Sequence, residues 1–235
     1  MTRYAFEPAP ATSVAIQGRA ERFPVRRVYC VGRNYEAHVR EMGHDPDRSP
    51  PIFFCKPADA VVEVADGEEG RFPYPGETSN CHHEIELVVA IGEGGRDIPQ
   101  DQARRHIFGY AIGLDMTRRD LQRAAAKAGQ PWETGKAFDA SAPMGPIHAV
   151  QDTGYLDTGA LSLHVNGETR QQADLSQLIW NVDETIATLS RLFELQPGDL
   201  IFSGTPEGVG VGEVRRGDVM SGRFDGLGEL RVRVI

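Results

Sequence analysis

Three carboxylates in this chain are spaced so that they can act together. Glu84 and Glu86 flank Ile85 at the head of His82-His83-Glu84-Ile85-Glu86-Leu87-Val88-Val89-Ala90-Ile91, and Asp115 closes Phe108-Gly109-Tyr110-Ala111-Ile112-Gly113-Leu114-Asp115. Both runs are rich in aliphatic residues and read as strands entering a core. Alternation along a strand aims Glu84 and Glu86 to one side, with His82 beside them and Ile85 opposite. Two carboxylates leaving an apolar strand repel and are poorly solvated, so they need a shared proton, a basic partner or a metal ion. The plain alternative is an edge strand whose polar face meets water. With Asp115 added, the set is three hard oxygen donors without cysteine and with at most one histidine nearby. Such a set suits Mg²⁺ or Mn²⁺ better than zinc and leaves positions for water and a chelating substrate. Arg33, Lys56, Arg119 and Lys136 are the cations expected around it, and in a chain of net charge −9 they point to a small anionic substrate.

A second pair, His38 and Glu41, lies three residues apart on a helix predicted over residues 33–43, with Asn34 as its cap and Gly43 as its stop. A carboxylate at that spacing can fix an imidazole's tautomer and raise its basicity, as a general base requires. An exposed surface pair is the competing reading. Residues 44–51 are polar and proline-rich, and they are placed to act as a lid.

The elements that must position these groups follow from local pattern. Residues 1–24 read as a lead-in with little periodicity, and residues 25–235 as a single catalytic domain. Val28-Tyr29-Cys30-Val31 and Ile52-Phe53-Phe54-Cys55 are predicted buried strands, the second ending at Lys56, with Cys30 and Cys55 in the core. A helix from about Arg118 to Ala128 puts Arg119 and Gln122 on one face. Lys136 rides on an ordered loop over residues 132–139, and Asn166-Gly167 signals a hairpin. The strongest helix runs from Asn181 to Leu195, with a capping box at Asn181 and Glu184 and an apolar stripe of Ile186, Leu189, Leu192 and Phe193.

Composition removes several classes of function. With 34 acidic against 25 basic residues and no basic run, neither nucleic acid nor an anionic membrane is an expected partner. The N-terminus lacks a signal-peptide core, no segment reads as membrane-spanning, and three cysteines without Cys-x-x-Cys spacing suit a reduced, cytoplasmic setting. Gly129 to Lys136 fails as a phosphate loop, because its spacing is one too long and Ala137 replaces the magnesium-binding hydroxyl. No Gly-x-Ser-x-Gly elbow is present.

The residues also carry a resemblance. Val31-Gly32-Arg33-Asn34-Tyr35 with His38 and Glu41, His83-Glu84-Ile85-Glu86, Gly113-Leu114-Asp115-Met116-Thr117-Arg118-Arg119-Asp120, Gly135-Lys136-Ala137-Phe138-Asp139 and Gly204-Thr205-Pro206-Glu207-Gly208-Val209-Gly210 recur in an order that resembles the fumarylacetoacetate hydrolase family. The resemblance implies an α+β, β-rich fold: a mixed β-sandwich roll with a few short helices, usually a homodimer. It implies Mg²⁺ or Mn²⁺ on Glu84, Glu86 and Asp115, and a water-activating pair at His38 and Glu41 on a segment that orders over bound ligand. The family's catalytic lysine falls on Lys136 and its polar substrate contacts on Arg119, Gln122 and Thr205, with Arg33 taken as a further substrate-binding cation. The activity so implied is hydrolysis of a carbon–carbon bond in a 2,4-dioxo acid, 3-fumarylpyruvate to fumarate and pyruvate, within aromatic-compound degradation. Broader acylpyruvate hydrolysis, oxaloacetate decarboxylation and isomerisation of an unsaturated 2-oxo acid are the alternatives on the same site. A non-catalytic module that binds an ion or a small acid is the alternative outside catalysis.

Overall fold

The computed structural model describes residues 3–43 and 48–235. The chain opens with a small hairpin, β1 (Ser13–Ala15) and β2 (Arg22–Pro24), followed by β3 (Val28–Gly32), helix α1 (Glu36–Glu41) and β4 (Ile52–Lys56). Short strands β5 (Val61–Glu63), β6 (Glu69–Phe72) and β7 (Cys81–His82) lead to the long pair β8 (Ile85–Ile91) and β9 (Ile107–Leu114). After β10 (Thr117–Arg118) come α2 (Arg119–Lys127) and α3 (Glu133–Lys136), then β11 (Ala142–Met144), β12 (His148–Ala149) and α4 (Val150–Thr153). A second run of strands, β13 (Ala160–Val165) and β14 (Glu168–Asp174), precedes α5 (Val182–Leu192). β15 (Leu200–Phe202), β16 (Val219–Phe224) and β17 (Gly228–Val234) complete the chain.

The described residues form an eight-stranded mixed sheet in the order β4-β3-β15-β8-β9-β11-β5, with β12 also on β9, and a five-stranded sheet β14-β13-β16-β17-β6. β8 lacks polar alternation beyond Glu86, and it is buried along its whole length. Leu87, Val89 and Ile91 join Leu163, Met220 and Val232 in the core between the two sheets. Val88 and Ala90 face the other way, onto a second core closed by Val14, Ile16 and Phe23 of the N-terminal hairpin. Each buried Val, Leu or Ile contributes about 1.5–3 kcal/mol, so β8 is held firmly from both faces.

That rigidity matters because the register of β8 on β9 sets up the acids. Ile85 pairs with Leu114, and the Asp115 amide donates to the Glu84 carbonyl at 2.8 Å. Glu84 and Asp115 therefore face each other just beyond the paired strand ends. Gly113, opposite Glu86, admits the crossing: a Cβ there would lie 2.6 Å from Phe202 and from Val88.

Several expectations from local pattern need correction. The N-terminal stretch, expected to lack periodicity, supplies β1 and β2 and part of the second core. β4 is an edge strand with a half-exposed face, and Cys55 is exposed rather than in the core, whereas Cys30 is buried. Leu192 is 61% exposed, so the buried stripe of α5 runs through Val182, Ile186 and Leu189 instead. The capping box of α5 does form at Asn181 and Glu184. The loop carrying Lys136 contains a turn of helix, α3. The lid assigned to residues 44–51 falls, over residues 44–47, outside the described residues.

Asn34 does not cap α1. Tyr35 takes the cap position without a side-chain bond, and the fully buried Asn34 carboxamide reaches across the fold. It donates to the carbonyls of Trp180 (2.9 Å) and Ser203 (2.7 Å) and accepts from the Trp180 amide (2.8 Å). Asn34→Ala is expected to lower stability by about 2–3 kcal/mol in urea unfolding, because buried backbone groups lose their partners. A loss within about 0.5 kcal/mol would place those groups in contact with water. Among the described residues, no helix is long and apolar enough to cross a membrane.

Candidate active site

Glu84, Glu86 and Asp115 are buried, and each offers a carboxylate oxygen within 4.8 Å of the others. The wet-edge reading of β8 fails here. The three acids meet three buried cations. Lys136 donates from Nζ to Glu84 Oε2 and to Asp115 Oδ2, both at 2.6 Å. Arg119 donates from Nη2 to Glu84 Oε1, and Lys56 faces Asp115 Oδ1 at 2.8 Å. Lys56 is only 2% exposed and also donates to the carbonyls of Met116 and Lys136, so its ammonium is held among the acids.

The two glutamates titrate in opposite directions for physical reasons. Burial alone would raise Glu84, but Lys136 and Arg119 outweigh it and hold the carboxyl below its ordinary range. At Glu86 burial, with Asp115 and Glu84 beside it, outweighs the nearby Lys136 and raises the carboxyl well above the usual value. It accepts a hydrogen bond from the Gly204 amide at 2.7 Å. A divalent ion would relieve this under-compensated acid, and three converging hard oxygens suit Mg²⁺ or Mn²⁺. The residues fit the ion.

His38 lines the same cavity, with about 430 Å³ of empty space including the mouth, together with Arg33, Gln122, Lys136 and Thr205. Phe54, Trp132 and Met42 form its apolar wall. The imidazole is buried, with Nδ1 3.6 Å from Glu41 Oε2, beyond hydrogen-bond range. Glu41 instead accepts from the amides of Gly208 (3.0 Å) and Gly210 (2.7 Å), which docks α1 on the loop that begins at Thr205. Burial pushes the Glu41 carboxyl up, but His38 and the Gly210 and Gly208 amides reverse this and hold it at about 2. A carboxyl lowered by folding stabilises fully above its ordinary value of 4.5 and loses that contribution only as pH falls toward 2. The docking is therefore complete at neutral pH.

A Cβ at Gly210 would sit 2.7 Å from Glu41 Oε1. Gly210→Ala is thus expected to displace Glu41 and misplace His38, lowering kcat by about 10- to 100-fold with little change in melting temperature. Unchanged kcat would separate the docking from the chemistry.

Arg119 and Gln122, expected on one helical face, do lie together. Arg119 Nη1 donates to Gln122 Oε1 at 3.2 Å, which leaves the Gln122 amide N–H groups for the cavity. Thr205 donates to the Ile85 carbonyl (2.8 Å) and accepts from Gln171 Nε2 (2.9 Å). Gln171 was not anticipated. Its Oε1 also accepts from the Ile85 amide and lies 2.9 Å from His83 Nδ1, tying the Thr205 loop to β8. The signal was an inward polar residue in the alternating strand β14. His82 is buried, and its imidazole is lowered to about 3, first by burial and then by Arg119.

Two large sheets with a few helices, bearing a buried triad of acids at one sheet's strand ends, define a class that sequence comparison names. The family model for fumarylacetoacetate (FAA) hydrolase C-terminal matches residues 27–235, and the chain belongs to the fumarylacetoacetate hydrolase family. A Ralstonia fumarylpyruvate hydrolase is 45% identical over 82% of this chain and 98% of its own. The oxaloacetate tautomerase YcgM of Escherichia coli is 41% identical over 93% of this chain and 97% of its own. The crystal structure of fumarylpyruvate hydrolase from Pseudomonas aeruginosa in complex with Mn²⁺ and pyruvate superposes with a TM-score of 0.97, at 60% identity over 99% of both chains.

Proposed function

We propose that this chain is a divalent-metal-dependent hydrolase that cleaves a carbon–carbon bond in a 2,4-dioxo acid, with 3-fumarylpyruvate as substrate and fumarate and pyruvate as products. The observation that carries the reading is one cavity holding both the triad of buried acids and a buried imidazole whose Nδ1 has no hydrogen-bond partner among the described residues. The likeness to fumarylpyruvate hydrolases over nearly the whole chain supports it.

Mg²⁺ or Mn²⁺ held by Glu84, Glu86 and Asp115 would supply a Lewis acid for the carboxylate and keto oxygens of a 2-oxo acid. The chain's own residues do the rest. Arg119, anchored by Glu84 and Gln122, orients the carboxylate end of the substrate. His38 takes a proton from water, whose oxygen adds to the C4 carbonyl carbon. Lys136 has a third N–H beyond those given to Glu84 and Asp115, and with the Gln122 amide it stabilises the oxyanion at C4. The oxyanion then collapses to fumarate, the C3–C4 bond breaks, and its electron pair leaves with the pyruvate fragment. The proton held by His38 is returned to C3. A homodimer in the cytoplasm, serving aromatic-compound degradation, is part of the same proposal, and three free cysteines agree with that compartment.

Loss of absorbance of fumarylpyruvate, maleylpyruvate and acetylpyruvate, followed side by side with Mn²⁺, tests the reading. Fumarate and pyruvate should appear in equal amounts, with fumarylpyruvate the fastest. A second reading, tautomerisation of oxaloacetate, is favoured by the Escherichia coli relative. It needs no activated water. An enzyme that interconverts oxaloacetate tautomers at full rate after His38→Ala, and hydrolyses no dioxo acid before it, belongs to that second class.

A further inference from the structure

Charge is not evenly compensated in the cavity. Lys56, Arg119 and Lys136 are each engaged by Glu84 or Asp115. Arg33 also lines the cavity, yet it makes no hydrogen bond or ion pair with another described residue. It is held in place by its backbone. Arg33 has φ 61°, a left-handed conformation unusual for a residue with a side chain, and its neighbour Asn34 is fastened to Trp180 and Ser203. Such strain persists only where the surroundings enforce it, and it clusters at functional positions.

Register fixes where this cation stands. β15 separates β3 from β8, and Phe202 pairs with both Cys30 and Val88, so Arg33 follows β3 at the same end of the sheet as Glu86. Two strand spacings put their Cα atoms about 10 Å apart. Arg33 thus borders the same cavity from a position two strands away from Glu86. In fumarylpyruvate the second carboxylate lies six bonds from the first, so a substrate held at the triad by its 2-oxo acid end extends its far end across that distance.

We propose that Arg33 is the specificity-determining residue that selects substrates with a second, distal carboxylate, by pairing its guanidinium with that group. The inference rests on the dioxo-acid reading for the substrate's orientation, but its test does not require turnover. Protein loaded with Mn²⁺ is titrated calorimetrically with 2-oxopimelate and with 2-oxoheptanoate, which match in length and differ at the distal end. Neither has a C4 carbonyl, so neither is hydrolysed.

The wild type should bind the diacid about 10- to 100-fold more tightly, the range expected of a charge-assisted pair. Arg33→Met should abolish that preference while holding the affinity for 2-oxoheptanoate within about threefold. Arg33→Gly provides the second variant, because glycine adopts a positive φ without strain. It should melt no lower than wild type and show the same loss. No preference in the wild type, a preference that survives both substitutions, or equal weakening for both acids overturns the proposal. Failure of the hydrolase reading is distinct: fumarylpyruvate is then not turned over while the binding preference stands.

Discussion

Glu86→Gln is expected to lower turnover by about 10³-fold or more and to leave the metal-free protein at least as stable as wild type. Activity falls because the triad loses a charged donor, and several kcal/mol of Lewis-acid assistance depend on the ion it holds. Stability survives because the glutamine oxygen still accepts from the Gly204 amide, while one of three crowded carboxylates is neutralised. Glu84→Gln should behave differently, since it removes the charged partner of Arg119 and one of the two carboxylates paired with Lys136, leaving buried positive charge under-compensated. Mn²⁺ affinity by calorimetry and melting curves in chelator separate the two variants. Dialysis against EDTA should abolish wild-type activity, with Mg²⁺ or Mn²⁺ restoring it and Zn²⁺ doing so poorly. Wild-type Mn²⁺ affinity and turnover in Glu86→Gln would remove Glu86 from the ligand set.

His38→Ala should lower kcat by about 10²–10⁴-fold, the usual worth of a positioned proton acceptor. Oxalate, which mimics the 2-oxo acid head, should bind the Mn²⁺-loaded variant nearly as well as wild type, so the loss sits in kcat. Glu41→Gln should show a milder defect. It keeps an oxygen for the Gly208 or Gly210 amide and loses the charge beside the imidazole. The double variant should be little worse than His38→Ala alone, because Glu41 acts through the histidine. Losses that simply multiply would mean that the two side chains work separately.

Much of the site was legible because its determinants are local. Alternation through Glu84-Ile85-Glu86, the helical spacing of Arg119 and Gln122, and the caps of α5 each depend on neighbours a few residues away. What escaped depends on contacts across the chain. Asn34 looks like a helix cap in its own segment, but Trp180 and Ser203 claim its carboxamide. β4 has a buried strand's composition, and only its place at the sheet edge exposes Cys55. Gln171 acquires its role from Ile85, His83 and Thr205, none near it in sequence. The partners of Lys56, likewise, are Asp115 and two carbonyls distant in sequence.

The docking of α1 separates the parts by their tolerance to change. The triad grows from β8 and β9, strands locked on both faces, whereas the proposed base sits on a six-residue helix fastened through Asn34 and the Glu41 carboxylate. Substitutions confined to that helix can remove or re-aim this proposed water-activating group without disturbing the acids beneath it. Under the proposed mechanism, a short, replaceable segment would separate hydrolysis from tautomerisation of 2-oxo acids, and an engineer seeking to convert one activity into the other should begin at residues 35–43 and leave the sheet untouched.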